Sequence, residues 1–63
     1  MNTRNLRVGS IVVGDLNSYM FEVTEIKKQD VVLKDLRNGN FVEVSLGFLK
    51  REHGTVVNTV KEE

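Results

Sequence analysis

The sequence predicts an all-β fold, a small five-stranded SH3-like barrel with a short helical or 3-10 turn before the last strand. The apolar residues are largely β-branched, which favours strands. No stretch keeps a helical period. Asn38-Gly39 separates two alternating runs and is a strong hairpin signal. Five short strands in a chain of 63 residues cannot stack as two broad sheets. A strongly bent sheet that closes on itself would instead cover its own apolar face and leave few exposed edges.

Five strands are predicted in one domain that spans residues 1–63, with residues 1–4 and 61–63 flexible. Turn-forming residues follow the first strand, and a helical turn is predicted within Gly47–Gly54. In the second strand, Ile26 falls on the outer face unless a bulge near Glu25 returns it to the core. The predicted strands are Ser10–Val13, Tyr19–Lys27, Val31–Leu36, Phe41–Leu46 and Thr55–Val60.

The Asn38-Gly39 turn also predicts a strand register. A two-residue type I′ turn there places Lys34 opposite Glu43. It gathers the apolar residues of both strands on one face and pairs the opposite charges on the other. The predicted core face consists of Val31, Leu33, Val42, Val44 and Leu46.

Composition excludes several classes of protein. Nine basic residues balance nine acidic ones, which argues against a strong, sequence-blind nucleic-acid binder. The absence of cysteine removes disulfides and thiolate metal sites, and it favours a cytoplasmic chain. No apolar run approaches the ~20 residues of a membrane span, and the first residues do not resemble a signal peptide.

No group of residues indicates catalysis. His53 has neither a second histidine nor a cysteine to share a metal, and a solvated turn explains it. The carboxylates form no acid/base pair, and the glycines form no phosphate-binding loop. We therefore expect no catalytic, cofactor-binding or metal-binding residue, no small-molecule substrate and no enzyme activity.

The candidates for partner binding are basic pairs and aromatic residues. Arg4 and Arg7 add further basic groups near the start of the chain. Phosphate contacts with base stacking would result if the fold brings basic residues beside an aromatic one. The alternative is a solvated surface balanced by neighbouring carboxylates. The candidate residues are Tyr19, Lys27, Lys28, Phe48, Lys50 and Arg51.

The aromatic residues have two expected positions. Phe21, Phe41 and Phe48 are predicted in the core or at its edge. Tyr19 follows a turn-rich loop and is the best aromatic candidate for an exposed contact, as in barrels that bind peptides through loop aromatics. The alternative for Tyr19 is a cap on the core with its hydroxyl in water.

One family resemblance bears on the fold. Val32 to Asn40 resembles the fourth-strand hairpin of the N-terminal KOW-like domain of the elongation factor P family, and Asn5 to Val12 resembles its opening. Phe21 to Ile26 matches its second strand in pattern, so the resemblance covers about two thirds of the chain. It implies an SH3-like barrel. The pattern also resembles short barrel proteins of bacterial mobile elements and phages.

The resemblance does not extend to that family's functional residues. Its members carry a long basic loop with a modifiable lysine between the second and third strands, whereas Lys27 to Asp30 form a tight turn here. Lys28 does not match that lysine, and the family continues into further barrel domains. Because the nearest resemblance is KOW-like, the first hypothesis is a non-enzymatic binding module with a nucleic-acid or ribosome-associated partner. The alternative is a protein-interaction module that self-associates through an exposed edge strand or binds another protein. The chain is expected to be a monomer or a weak homo-oligomer.

Overall fold

A computed structural model describes residues 1–58. Its strands form one antiparallel sheet in the order β4-β3-β2-β1-β5, and the single helix precedes the last strand. The predicted fold class is confirmed: residues 1–58 are mostly β, with five strands and one short α-helix. The elements are β1 (Ile11–Gly14), a 3-10 turn (Asp15–Asn17), β2 (Met20–Ile26), β3 (Asp30–Asp35), β4 (Phe41–Ser45), α1 (Leu46–Arg51) and β5 (Gly54–Val57).

The predicted strand ends are correct to within about one residue for β1 to β4 and for the start of β5. The predicted residues Thr59 and Val60 of the fifth strand, and the predicted flexible residues 61–63, lie outside the described part of the chain. At the other end, the amine of Met1 donates to the carbonyl of Lys50 at 2.9 Å. The flexibility of residues 1–4 stays a prediction.

The sheet is barrel-like but open, so the predicted closure is wrong. Among the described residues, β4 pairs only with β3 and β5 only with β1. Helix α1 follows β4 directly, and its Leu49 is buried against the apolar face of the sheet. The helix thus covers part of the surface that closure would have covered, and both outer strands remain edges.

The core is small and mostly β-branched. Each of β1, β2 and β3 contributes a buried valine, and α1 contributes a leucine. These side chains bury apolar surface, the main favourable term in folding. The buried residues are Val12, Val23, Val31, Leu33 and Leu49, with Met1, Leu6, Tyr19, Phe21, Val44 and Leu46 packed around them.

Strand β2 contains a bulge, which is one of the two alternatives that the sequence leaves open for Ile26. The register with β3 shifts between Val23 and Glu25, so that Glu25 lies opposite Val32 and Ile26 opposite Val31. Thr24 is the extra residue. The shift places Ile26 on the face of the buried Val31, but Ile26 is still 40% exposed at the end of the strand.

The predicted register of the β3–β4 hairpin is wrong by two residues. Lys34 lies opposite Phe41, not Glu43, and Leu33 lies opposite Val42. A shift of two residues keeps every side chain on its predicted face, since the side-chain period of a strand is two. Val31, Leu33, Val42 and Val44 therefore share the predicted face, whereas Leu46 begins α1 and the Lys34–Glu43 pair does not form.

The loop explains the shifted register. The amide of Asp35 donates to the carbonyl of Asn40 at 2.7 Å, so the loop spans the four residues 36–39. The amide of Gly39 donates to the carbonyl of Asp35 at 2.7 Å, and only Gly39 in this loop has a positive φ, +79°. The Asn38 side chain accepts from the amide of Asn40 at 2.8 Å. This local bond favours the longer loop over a type I′ turn, which needs positive φ at both central residues.

Candidate binding site

A cleft of about 190 Å³ lies between the apolar face of the sheet and helix α1. We call it the Tyr19–Phe48 cleft. Its lining is almost wholly apolar, and its one charged group is the carboxylate of Glu52. The lining residues are Val12, Tyr19, Phe21, Leu33, Val42, Val44, Phe48, Leu49 and Glu52.

Tyr19 is held in the cleft by two neighbours. Its ring meets that of Phe21 edge-on, with centroids 5.5 Å apart and planes at 63°. Gly14 leaves room for the ring, because a Cβ at this position would lie 2.5 Å from Tyr19 Cδ2. The amide of Gly14 also donates to the carbonyl of Tyr19 at 2.8 Å. A glycine at the end of β1 thus allows the aromatic pair to pack.

Phe48 forms the helical wall of the cleft. Helix α1 begins after Ser45, whose hydroxyl caps it by accepting from the amide of Phe48 at 3.0 Å. Leu49 turns into the core, which leaves Phe48 on one flank of the helix with 43% of its surface exposed. Phe48 is therefore an exposed aromatic side chain that lines the cleft with Tyr19, and it does not belong to the core or to the residues packed around it.

Glu52 gives the cleft a negative charge. It follows α1, and its amide donates to the carbonyl of Leu49 at 3.1 Å. Burial raises the pKa of the Tyr19 phenol, and the neighbouring carboxylate of Glu52 raises it further. Tyr19 is therefore a neutral phenol near neutral pH, and Glu52 is the group in the cleft that would attract a cation.

Lys50 does not share a face with Phe48, and neither Lys50 nor Arg51 lines the cleft. Positions two apart on a helix do not face each other, so Lys50 lies on the opposite flank from Phe48. There Lys50 lines one depression with Gln29 and Asp30 and another with Arg4. The guanidinium of Arg51 folds back toward Gly47.

Lys27 and Lys28 lie at the β2–β3 turn. The ammonium of Lys27 is 3.3 Å from Glu43 Oε2, and Lys28 is exposed in the turn. Two of the six candidates, Tyr19 and Phe48, therefore line the cleft together, and none of the four basic ones does.

Sequence reasoning missed two features of this surface. Glu52 follows a basic pair, so its pattern is that of a solvated charge, and nothing in the sequence signals its place in the cleft. Phe41 was predicted in the core or at its edge, which is wrong: it is 61% exposed on the outer face, opposite Lys34. The corrected register explains this position, because residue 41 follows the loop directly and, within residues 1–58, β4 pairs with β3 alone.

Within residues 1–58, no three acidic, histidine or cysteine side chains cluster so as to hold a metal ion. No helix in this same part of the chain has the length and apolar content needed to cross a membrane.

Comparison of the chain with protein families, curated proteins and solved structures found no match. The resemblance to the KOW-like domains of the elongation factor P family, and to short phage or mobile-element barrels, therefore stays a prediction.

Proposed function

We propose that this chain is a non-enzymatic protein-interaction module that receives an apolar side chain of its partner in the Tyr19–Phe48 cleft. The observation that carries the proposal is the pairing of Tyr19 with Phe48 across an apolar cleft that is open to solvent. Because the sequence contains no cysteine, we also propose that the module acts in the cytoplasm.

The size and lining of the cleft support a side chain as ligand. Sites for drug-sized ligands or cofactors span roughly 300–1,000 Å³ and contain several convergent polar groups. This cleft measures about 190 Å³ and offers one carboxylate and one phenol. Rigid aromatic walls favour an apolar anchor residue, which is the usual centre of a protein interface.

Nucleic acid or the ribosome is the second candidate partner. The observation in its favour is the depression that Arg4 shares with Lys50. Its aromatic component is missing there, since Tyr19 and Phe48 lie across the helix, and Glu52 would repel a phosphate at the cleft. We therefore rank protein binding first.

Random-peptide display on the immobilised protein tests the proposal. We expect enriched peptides that share an apolar anchor and that bind Phe48→Ala at least tenfold more weakly. Lys50→Ala is the matched control, since it changes the other flank of the same helix, and its affinity should equal that of the unchanged chain.

The outcomes separate the two candidates. Failure to enrich any peptide, or equal binding by Phe48→Ala, would overturn the protein-interaction proposal. A single-stranded oligonucleotide that binds at low salt, releases at high salt and loses affinity in Lys50→Ala would instead assign the nucleic-acid function.

A further inference from the structure

Strand β4 presents a free edge beside the cleft. Among the described residues its only neighbour is β3. The other edge, β5, differs: Asn2 and Asn5 line a groove with Thr55 and Val56, so the N-terminal segment lies against it. An unprotected edge is a template for another extended chain.

The backbone groups of β4 that point away from the sheet can be identified from the hydrogen bonds at the two ends of the β3–β4 ladder. The amide of Asp35 donates to the carbonyl of Asn40, and the amide of Leu46 donates to the carbonyl of Gln29, each at 2.7 Å. Hydrogen-bonded and non-hydrogen-bonded pairs alternate in an antiparallel ladder. Residues 42 and 44 therefore bond to β3, and the backbone groups that point away from the sheet belong to Phe41, Glu43 and Ser45.

The same edge is continuous with the cleft. Val42 and Val44 lie on the apolar face and line the cleft together with Phe48. Val42 is 41% exposed at this edge. A strand added to β4 would set alternate side chains against Val42 and Val44, within reach of Phe48. Its other side chains would face Phe41 and Glu43 on the outer face.

We propose that the partner binds as a sixth strand on β4, through an extended segment in which a basic residue separates two apolar ones. This inference rests on the proposed function and names its ligand. The backbone of the segment bonds to Phe41, Glu43 and Ser45, and its apolar side chains pack on Val42 and Val44. One of these side chains enters the cleft, and the basic residue lies opposite Glu43.

The charge of Glu43 favours an extended segment with a basic residue over a second copy of this chain. Glu43 is the middle residue of β4, so a two-fold pairing centred there would place Glu43 of one copy opposite Glu43 of the other, which is unfavourable. Lys27 is the present partner of Glu43, but the two side chains are 46% and 47% exposed. Such an exposed ion pair is weak, so a basic residue of the segment can replace Lys27 at little cost.

Two substitutions at one position test the inference in the peptide display. Glu43→Pro removes an outward-facing N–H and leaves the bonds to β3 in place. We expect it to bind the enriched peptides at least tenfold more weakly. Glu43→Lys should enrich peptides with an acidic residue between the apolar ones. Glu25→Lys is the control, because it makes the same change of charge away from the β4 edge.

A second measurement keeps the test independent of how well Glu43→Pro folds. Peptides N-methylated at single positions should lose binding to the unchanged chain at alternate residues only, since only those donate to β4. Enriched peptides that tolerate all N-methylation, or that show no charge reversal with Glu43→Lys, would overturn the added-strand inference and leave the cleft proposal standing. A concentration-dependent dimer in sedimentation that Glu43→Pro abolishes would make a second copy the occupant and overturn it as well.

Discussion

The carboxylate of Glu52 lies beside the phenol of Tyr19 in the cleft, and the two groups interact electrostatically. Burial is the larger cause of the raised pKa of Tyr19, and the charge of Glu52 is the next. Both act in the same direction, because each disfavours the phenolate. The ionisation of the Tyr19 hydroxyl therefore depends on the charge of Glu52.

This relationship predicts a pH dependence. A pKa raised on folding stabilises the protein fully below the unfolded value of about 10, and this stability is lost as the pH rises through the folded pKa. Ultraviolet absorbance of the phenolate reads Tyr19 alone, because the chain has one tyrosine and no tryptophan. Glu52→Gln should lower the pKa of Tyr19 but leave it above the ordinary value, since burial persists.

Glu25→Gln is the control for this titration, as Glu25 lies toward the far end of β2 and is exposed. An equal pKa of Tyr19 in Glu52→Gln and in the unchanged chain would contradict the proximity of the two groups. Loss of the entire shift in Glu52→Gln would show that charge, not burial, is the larger cause.

The hairpin register predicts which engineered disulfide forms. Lys34 and Phe41 are direct partners in a non-hydrogen-bonded pair, whose Cα atoms lie about 4.5 Å apart, within disulfide range. Lys34 and Glu43 are diagonal neighbours, at roughly 7–8 Å, which is beyond it. Because the chain has no cysteine, each double-cysteine variant can be assayed by thiol titration.

We expect Lys34→Cys with Phe41→Cys to oxidise readily and Lys34→Cys with Glu43→Cys to keep free thiols under the same conditions. If the Lys34→Cys, Glu43→Cys variant oxidised and the Lys34→Cys, Phe41→Cys variant did not, the two-residue turn and its register would be correct. That register would also move the outward-facing groups of β4, so this experiment checks the geometry on which the added-strand inference depends.

The hairpin shows how far sequence reasoning reaches in this chain. Alternation of valine and leucine fixes which face of β3 and β4 is apolar, and that prediction is confirmed. The exact register depends on the loop hydrogen bonds that the backbone of Asp35 makes and that the side chain of Asn38 accepts. An Asn-Gly pair does not distinguish a two-residue from a four-residue loop. The same holds for the cleft. The sequence predicts Tyr19 and Phe48 as contact residues, whereas the position of Glu52 beside them depends on how the chain packs.

A substitution at Gly39 should destabilise the protein through backbone conformation alone, without a steric clash. Its φ is +79°, and a Cβ built there meets nothing within 4 Å. Gly39→Ala should lower the free energy of unfolding by about 1–2 kcal/mol, measured by urea denaturation, because a left-handed conformation is unfavourable for alanine. Asn38→Ala should also destabilise, by roughly 1 kcal/mol, since the amide of Asn40 loses its acceptor.

Gly47→Ala is the matched control for Gly39→Ala. Gly47 lies within α1, and an added Cβ would make only an ordinary contact of 3.7 Å with Arg51 Nη1. Alanine there should raise the free energy of unfolding by about 0.5–1 kcal/mol. Equal effects at the two glycines would contradict the loop conformation described above.

Ser10 is the buried polar residue that joins the start of the chain to the segment after β5. It is 1% exposed, and its hydroxyl accepts from the amide of Arg7 at 2.9 Å and donates to Asn58 Oδ1. The amide group of Asn58 in turn donates to the carbonyl of Asn5 at 2.9 Å. Ser10→Ala should therefore cost about 1–3 kcal/mol in urea denaturation, because it leaves partly buried groups without partners.

Ser18→Ala, in the exposed loop before Tyr19, is the control and should change the stability by less than about 0.5 kcal/mol. A double-mutant cycle with Asn58→Ala separates the shared bond from general destabilisation. We expect the combined loss to be smaller than the sum of the single losses by roughly 0.5–3 kcal/mol, since each single change already breaks the same bond. Strict additivity would show that Ser10 and Asn58 act independently, and that β1 and the chain after β5 are not joined at this point.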